Sequence, residues 1–465
     1  MESMSPQKTR HERINMQNVP DSLMGHSVEI CLFLSLFILT WTGVGDTTIA
    51  GLLGLLLCAM GILQRTVRVD LWVLIPLFLY NLFSMISSYL TYGNIADGYA
   101  STQLLYPVIY LTAACAGSRG LSLLRRLCVL WTGGVAAAGI LQFVFRAVVL
   151  DRSGRLGGFL GNPNAMGIFL VLGWFALIGC GRDREENSRN ILPYMEPLLL
   201  TALALTLSMG SFLAMAVGIG VLSVERKRHS SWQETFRYLC QLLARVCLGT
   251  GTGLLLYLAA ARTDASWICL PLLLYTAYMT LCWKKFGDFL DTYPRISVRV
   301  AMLWVLVAVS LLLIRSSSPA TFAERLEMMQ SGLRYLTVRP LTGLGPYQWR
   351  LLDMQDGGKY FNTWHIHNVP LHVAVELGFP AMTMLLLIAV RFCRKSKSPA
   401  QKAGFAAFCF HNFMDTSFFY MGITTLLLLT VSDPDKDTGA VPRPWLLYGI
   451  PAVIFACNLC LSLAG

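Results

Sequence analysis

The sequence predicts an all-α polytopic membrane protein of about 14 transmembrane helices, with one long extracytoplasmic loop that carries short helices. Three observations predict it: the composition, the spacing of the apolar runs, and the side on which the basic residues fall. Of 465 residues, 55% are apolar and only 14% are charged, and the mean hydropathy is +0.56. A soluble domain carries about 25% charged residues. At roughly 20 residues per span, 14 helices use about 280 residues and leave the rest for loops. This composition excludes a multi-domain soluble protein, a nucleic-acid binder and a disordered chain. The net charge of +11 is read as a topology signal, because Lys and Arg collect on the cytoplasmic side of multi-pass proteins.

Residues 1–27 form a polar tail with Lys8, Arg10 and Arg13, followed by an apolar run that opens at Val28. No A-x-A cleavage site follows the run, so it reads as a retained first helix with a cytoplasmic start. Further runs lie near 46–63, 71–91, 100–117, 127–149, 165–181, 192–207, 210–224, 239–261, 266–283 and 298–314. After a long polar stretch come 367–390, 403–420, 421–432 and 445–463, giving 14 or 15 spans according to whether the chain breaks at 420–421. With the N-terminus inside, roughly 27 of the 37 basic residues fall on the cytoplasmic side. Among them are Arg65, Arg68, the Arg125–Arg126 pair, Arg182, Arg184, Arg189, the Arg226–Arg228 run and Lys397. The organisation expected is therefore a cytoplasmic tail over 1–27, helices over 28–314 with an outer loop at 150–164, an extracytoplasmic loop over 315–366, and C-terminal helices over 367–465. The apolar spacing at 319–338 predicts a helix lying along the membrane surface.

The candidate chemistry sits on the two outward segments. The first reads Arg155-Leu156-Gly157-Gly158-Phe159-Leu160-Gly161-Asn162-Pro163-Asn164. Arg155 presents a fork of donors suited to phosphate oxygens, and the Asn162 and Asn164 turn opens a helix whose free N–H groups favour an anion. Taken alone, the same residues also fit a tight loop whose arginine rests among lipid headgroups. The second segment carries Arg325, Arg334 and Arg339, the pair Gly343 and Gly345, and then Trp364-His365-Ile366-His367-Asn368 at the mouth of the next helix. A histidine at that mouth meets water and substrate together, and its ordinary pKa near 6.5 suits a general base. Tyr335, Tyr347, Trp349, Tyr360 and Trp364 are candidate sugar-stacking rings or interfacial anchors. His365, His367 and His372 lack metal-ligand spacing, so no metal site is expected.

Together these residues resemble the O-antigen ligase and O-antigen polymerase superfamily. His367-Asn368, nine residues, then Gly378 and Ala381 follow that family's pattern with a small departure at the last position, and Glu376 before Gly378 also looks like the family. The segment His411-Asn412-Phe413-Met414-Asp415 resembles its late His/Asp motif, and the resemblance runs from about residue 70 to 432. It implies a metal-independent, cofactor-free transferase of the bacterial plasma membrane, active on the extracytoplasmic face in cell-surface polysaccharide assembly. The donor implied is a glycan on undecaprenyl diphosphate; the acceptor is a hydroxyl of a glycan, lipid or protein. Membrane lipids are partners and nucleic acid is not.

On that resemblance His367 is the base that deprotonates the acceptor, and Arg325 holds the diphosphate leaving group. Arg155, Asn162, Asn164, Arg334, Gly343, Gly345, Asn368 and Asp415 are the substrate-binding candidates. One departure stands out: where the family often carries Ser-Arg-Gly, this chain has Ser208-Met209-Gly210, and a methionine makes no charge-assisted bond to phosphate. Asp415 stands four residues after His411 in one apolar run, which places the two on one helix face. Asp433-Pro434-Asp435-Lys436-Asp437 imitates a D-x-D nucleotide-sugar site but falls in a cytoplasmic turn. Cys457 and Cys460 lie in an apolar run and read as packing residues. A polymerase has the same leaving-group chemistry as a ligase, so it remains the alternative. The rival class is a flippase or transporter of lipid-linked saccharides, which tends to show repeated halves and midplane polar sites; neither is visible here.

Overall fold

The computed structural model describes residues 21–64, 66–150, 154–181, 191–303, 318–396, 398–433, 439–442 and 444–464. The tail with Lys8, Arg10 and Arg13 therefore lies outside the described residues. So do Arg65, Arg182, Arg184, Arg189, Lys397, most of the Asp433–Asp437 turn and the second half of the 298–314 run.

Apolar runs become helices in the expected order: α1 Asp21–Trp41, α2 Thr47–Ile62, α3 Leu71–Tyr92, α4 Ala100–Gln103, α5 Leu105–Cys115, α6 Gly117–Val148, α7 Pro163–Cys180, α8 Met195–Thr206 and α9 Met209–Lys227. They continue with α10 Trp232–Ala260, α11 Cys269–Thr292, α12 Ser318–Tyr335, α13 Gln348–Gln355, α14 Val369–Leu377, α15 Phe379–Lys395, α16 Pro399–Asn412, α17 Met421–Val431 and α18 Trp445–Ala464. Side chains fix several starts. Asp46 accepts from Ile49 N at 2.9 Å, and Ser231 and Glu234 form a reciprocal capping box on α10. Among the described residues, seven helices are long and apolar enough to cross a membrane, and four shorter apolar helices accompany them. Helix α7 alone, at 1.5 Å per residue, extends about 27 Å.

Several boundaries differ from the expected runs: 100–117 is split between α4 and α5, and α6 begins at Gly117, ten residues before its run. The 367–390 run is two helices, because Gly378 adopts φ +87° between α14 and α15 and a Cβ there would meet the Leu341 carbonyl oxygen at 2.4 Å. The 403–420 run stops at Asn412, so residues 413–420 form a connection and α17 begins afresh at Met421. The chain also adds a two-stranded antiparallel clip, Thr66–Val69 with Gly439–Pro442, pairing Val67 with Val441.

The large buried side chains (Trp174, Tyr80, Tyr106, Phe169, Phe175, Phe455) form a continuous interior, while Trp72, Leu274 and Leu281 stand more than two-thirds exposed. An apolar exterior around a packed interior is the expected inversion for helices solvated by lipid. Residues 318–377 add a smaller satellite core of Met328, Leu344, Trp349, Phe361, Ile366 and Val375. The long segment is thus a folded unit, and the helix expected over 319–338 is α12.

Helix direction gives the bundle two distinct ends. One gathers the starts of α7 and α9 with the ends of α8 and α16. The other gathers the ends of α7, α9 and α11 with the starts of α8 and α16.

Candidate functional site

Asp415 is the centre of the first end. It lies in the connection after α16, three residues past the helix rather than on the face of His411, as the uninterrupted run had implied. Its Oδ2 pairs with Arg325 Nη2 of α12 at 3.1 Å, its Oδ1 accepts from Thr416 N at 2.8 Å, and His367 Nδ1 stands 3.7 Å from Oδ1. Arg325 also donates to the Met414 carbonyl. Residues 325, 367 and 415 therefore converge from three elements. Asp415 is almost wholly buried, while His367 and Arg325 keep 18% and 15% of their side chains exposed, enough to meet an incoming ligand.

The electrostatics follow from this placement. Burial lowers the pKa of His367, opposed by Asp415 and aided by Arg325. Burial disfavours the Asp415 charge, but His367, His411 and Arg325 outweigh that and hold the carboxyl below its usual range. At neutral pH the arrangement is a carboxylate, a guanidinium and an uncharged imidazole whose Nδ1 is buried with no hydrogen-bond partner among the described residues. His365 is buried against Phe419, with ring centroids 4.4 Å apart, and burial together with the nearby His367 pushes its pKa down to about 3.

The segment at 154–164 connects to this cluster through His411. Arg155 donates to the Thr206 carbonyl at 2.8 Å and to Asn164 Oδ1 at 2.7 Å. Asn162 caps α7 through Asn164 N at 2.8 Å. The Ser211 hydroxyl lies 3.3 Å from both the Asn164 carbonyl and His411 Nε2, and His411 Nδ1 meets Ser417 Oγ at 2.7 Å. Met209 opens α9 directly after its cap, Ser208, so it faces the same end of the bundle.

The remaining candidates hold main chain. Asn368 caps α14 through Leu371 N at 2.9 Å and donates to the Phe413 carbonyl at 3.2 Å. Gly343, at φ +70°, lies so close to α14 that a Cβ would fall 2.2 Å from the Glu376 carbonyl carbon. Gly345 N donates to the Glu376 carbonyl at 3.0 Å. Arg334 stands apart, 68% exposed and 3.7 Å from Asp353 within the satellite unit. Of the five aromatics, Trp349 is buried against Phe361, whereas Tyr360 and Trp364 sandwich the Arg350 guanidinium at 4.6 and 4.5 Å.

Two groups escaped the sequence reading. Ser211 and Ser417 bridge His411, and nothing marks an isolated serine in an apolar run. Glu376 was noted only for its position; its carboxylate accepts from Tyr347 N at 2.7 Å, Trp349 N at 3.1 Å and the Tyr99 hydroxyl, holding the start of α13 on α14. Next along the chain from Asn368, Val369 and Pro370 join Met382, Phe408 and Phe413 in lining an apolar cavity of about 140 Å³. No group of three or more His, Cys, Asp or Glu able to hold a metal occurs among the described residues.

Residues 250–386 match the O-antigen ligase family model. The resemblance read from the motifs is therefore shown over a stretch that holds Arg325, Arg334, Gly343, Gly345, His367 and Asn368. Arg155, Asn162, Asn164 and Asp415 lie outside it. No curated protein matches the chain. The match covers 137 of the 465 residues, and the long apolar helices mark a multi-pass membrane protein.

Proposed function

We propose that this protein transfers a glycan from an undecaprenyl diphosphate carrier to an acceptor hydroxyl on the extracytoplasmic face of the bacterial plasma membrane, without a metal. The observation that carries the reading is the convergence of His367 and Arg325 on buried Asp415. Asp415 favours the His367 tautomer protonated on Nδ1, which leaves Nε2 with a lone pair. As the acceptor oxygen attacks the anomeric carbon, Nε2 takes the hydroxyl proton. The bond from that carbon to the diphosphate oxygen breaks, and the electron pair leaves with the diphosphate. The leaving group gains negative charge in the transition state, so a fixed guanidinium stabilises it preferentially. We assign this role to Arg325, with Arg155, Asn162 and Asn164 as the second polar patch and Gly343, Gly345, Asn368, Asp415 and Arg334 shaping the surrounding segment. The apolar cavity lined by Val369 and Pro370 offers room for the start of the carrier's hydrocarbon chain.

The test is transfer by the purified protein in nanodiscs, using undecaprenyl-diphosphate-linked glycan and candidate acceptors. His367→Ala abolishes product at unchanged protein level, and the wild-type reaction survives EDTA. Asp435→Ala, in the turn outside the described residues, changes nothing. The acceptor used separates a ligase from a polymerase. Wild-type product from His367→Ala removes the assignment of the base, and carrier crossing the bilayer without transfer favours a flippase.

A further inference from the structure

A cavity of about 470 Å³ lies at the opposite end of the bundle from His367, between the last turns of α7, α9 and α11, the starts of α8 and α16, and the first half of α10. Glu196, Arg226, Gln241, Arg245 and Asp291 supply most of its polar lining. Glu196 is already engaged: its two oxygens accept the indole N–H groups of Trp174 at 3.2 Å and Trp283 at 2.9 Å, and Arg245 stands 3.8 Å away. Arg226 lies with its guanidinium 4.1 Å over the Tyr238 ring. Its neighbour Glu225 is turned to Arg228 and Lys402, at 2.8 and 3.1 Å. The Nε atoms of both Arg226 and Arg245 are buried and meet no acceptor among the described residues. Asp291 is the acidic counterweight, and its main-chain carbonyl takes a bond from Arg237 at 3.0 Å.

A buried donor with no acceptor is destabilising, and an oxyanion relieves it. A guanidinium whose face is covered by a ring still offers its edge, the edge that matches phosphate oxygens. We propose that this cavity is a second ligand site, which takes a phosphate-class anion held by Arg226 and Arg245. The site stands independently of the transfer chemistry. Two sources share that chemistry: the headgroup of an anionic phospholipid at the adjoining membrane surface, and free phosphate.

The experiment uses the full-length protein. Thermal unfolding is followed in detergent with inorganic phosphate against chloride at equal ionic strength, and in nanodiscs of phosphatidylcholine with and without phosphatidylglycerol. Phosphate or phosphatidylglycerol raises the midpoint of the wild type. In Arg226→Gln the half-saturating concentration rises at least about tenfold, whereas in chloride and plain phosphatidylcholine the variant melts with the wild type. Arg226→Lys, which keeps the charge and loses the fork, falls between them and serves if the glutamine variant does not fold. A response to phosphatidylglycerol alone identifies a lipid headgroup, and one to phosphate alone a soluble anion. A wild type indifferent to both, or a wild-type response in the Arg226 variants, overturns the proposal.

Discussion

Removing the Glu376 carboxylate tests whether the long segment over 318–377 is held by one buried acid. In Glu376→Ala the Tyr347 and Trp349 amides lose the acceptor they meet in the native fold, while the Tyr99 hydroxyl, which also bonds Glu376, keeps His372 Nε2 at 2.9 Å. Each buried donor left unsatisfied costs about 1–3 kcal/mol. Two of them total about 2–6 kcal/mol, and relaxation brings the expected loss to about 2–4 kcal/mol, large for a single substitution. The loss is local, because both orphaned donors lie at the start of α13. At 1.4 kcal/mol per factor of ten, hydrogen exchange at Tyr347–Trp349 accelerates on the order of a hundredfold, while amides of α7 and α8 keep their protection. Glu376→Gln retains one acceptor oxygen and gives an intermediate effect. Unchanged protection at Tyr347–Trp349 in the alanine variant refutes the idea that this carboxylate holds the segment.

The same reasoning gives further expectations. Gly343→Ala places a Cβ about 2.2 Å from main chain at φ +70°; proteolysis of residues 318–377 should accelerate sharply, whereas exposed Gly357→Ala tests positive φ without the clash. His365 is held neutral, with its pKa lowered to about 3 against an unfolded value near 6.5. The unfolded chain therefore binds a proton first as pH falls: stability is pH-independent with respect to His365 above about 6.5, then drops by up to ~1.4 kcal/mol per unit down to about 3. Calorimetry on His365→Phe should show a shallower acid limb, and an identical limb rejects the burial argument. Asp415→Asn leaves the Thr416 bond possible but discards the charge that faces Arg325 and His367; the loss of one charged hydrogen bond, about 1.5–3 kcal/mol, corresponds to a fall in transfer of roughly 10- to 150-fold. A kinetic assay showing wild-type turnover in that variant breaks the link between the carboxylate and the chemistry.

The parts legible from the sequence and the parts that were not divide along a physical line. Apolar runs locate helices because burial in lipid is a property of each run by itself, so α3, α7, α9 and α18 fall where hydropathy places them. Breaks inside an apolar run are tertiary events. Gly378 stands in 367–390 where the Leu341 carbonyl occupies the space a Cβ needs, and Gly378-Phe379-Pro380, with Pro380 in the first turn of α15, is the one local sign of that break. Asp415 has the same history: an acid in a hydrophobic stretch reads as a helix residue until Arg325 and His367, 90 and 48 positions earlier in the numbering, define the gap it fills. The motifs identified the residues that meet, since Arg, His and Asp in apolar surroundings are costly unless partnered. They did not reveal that Arg155 is tied to Thr206 and Asn164, directly beside the cap where Met209 replaces the arginine of the related pattern. That neighbourhood gives the substitution a physical meaning. Arg155 already supplies a guanidinium at the Ser208 end of α9, so Met209→Arg would add a second positive charge beside it, and its effect on transfer would show whether the missing charge limits the reaction or is supplied by Arg155.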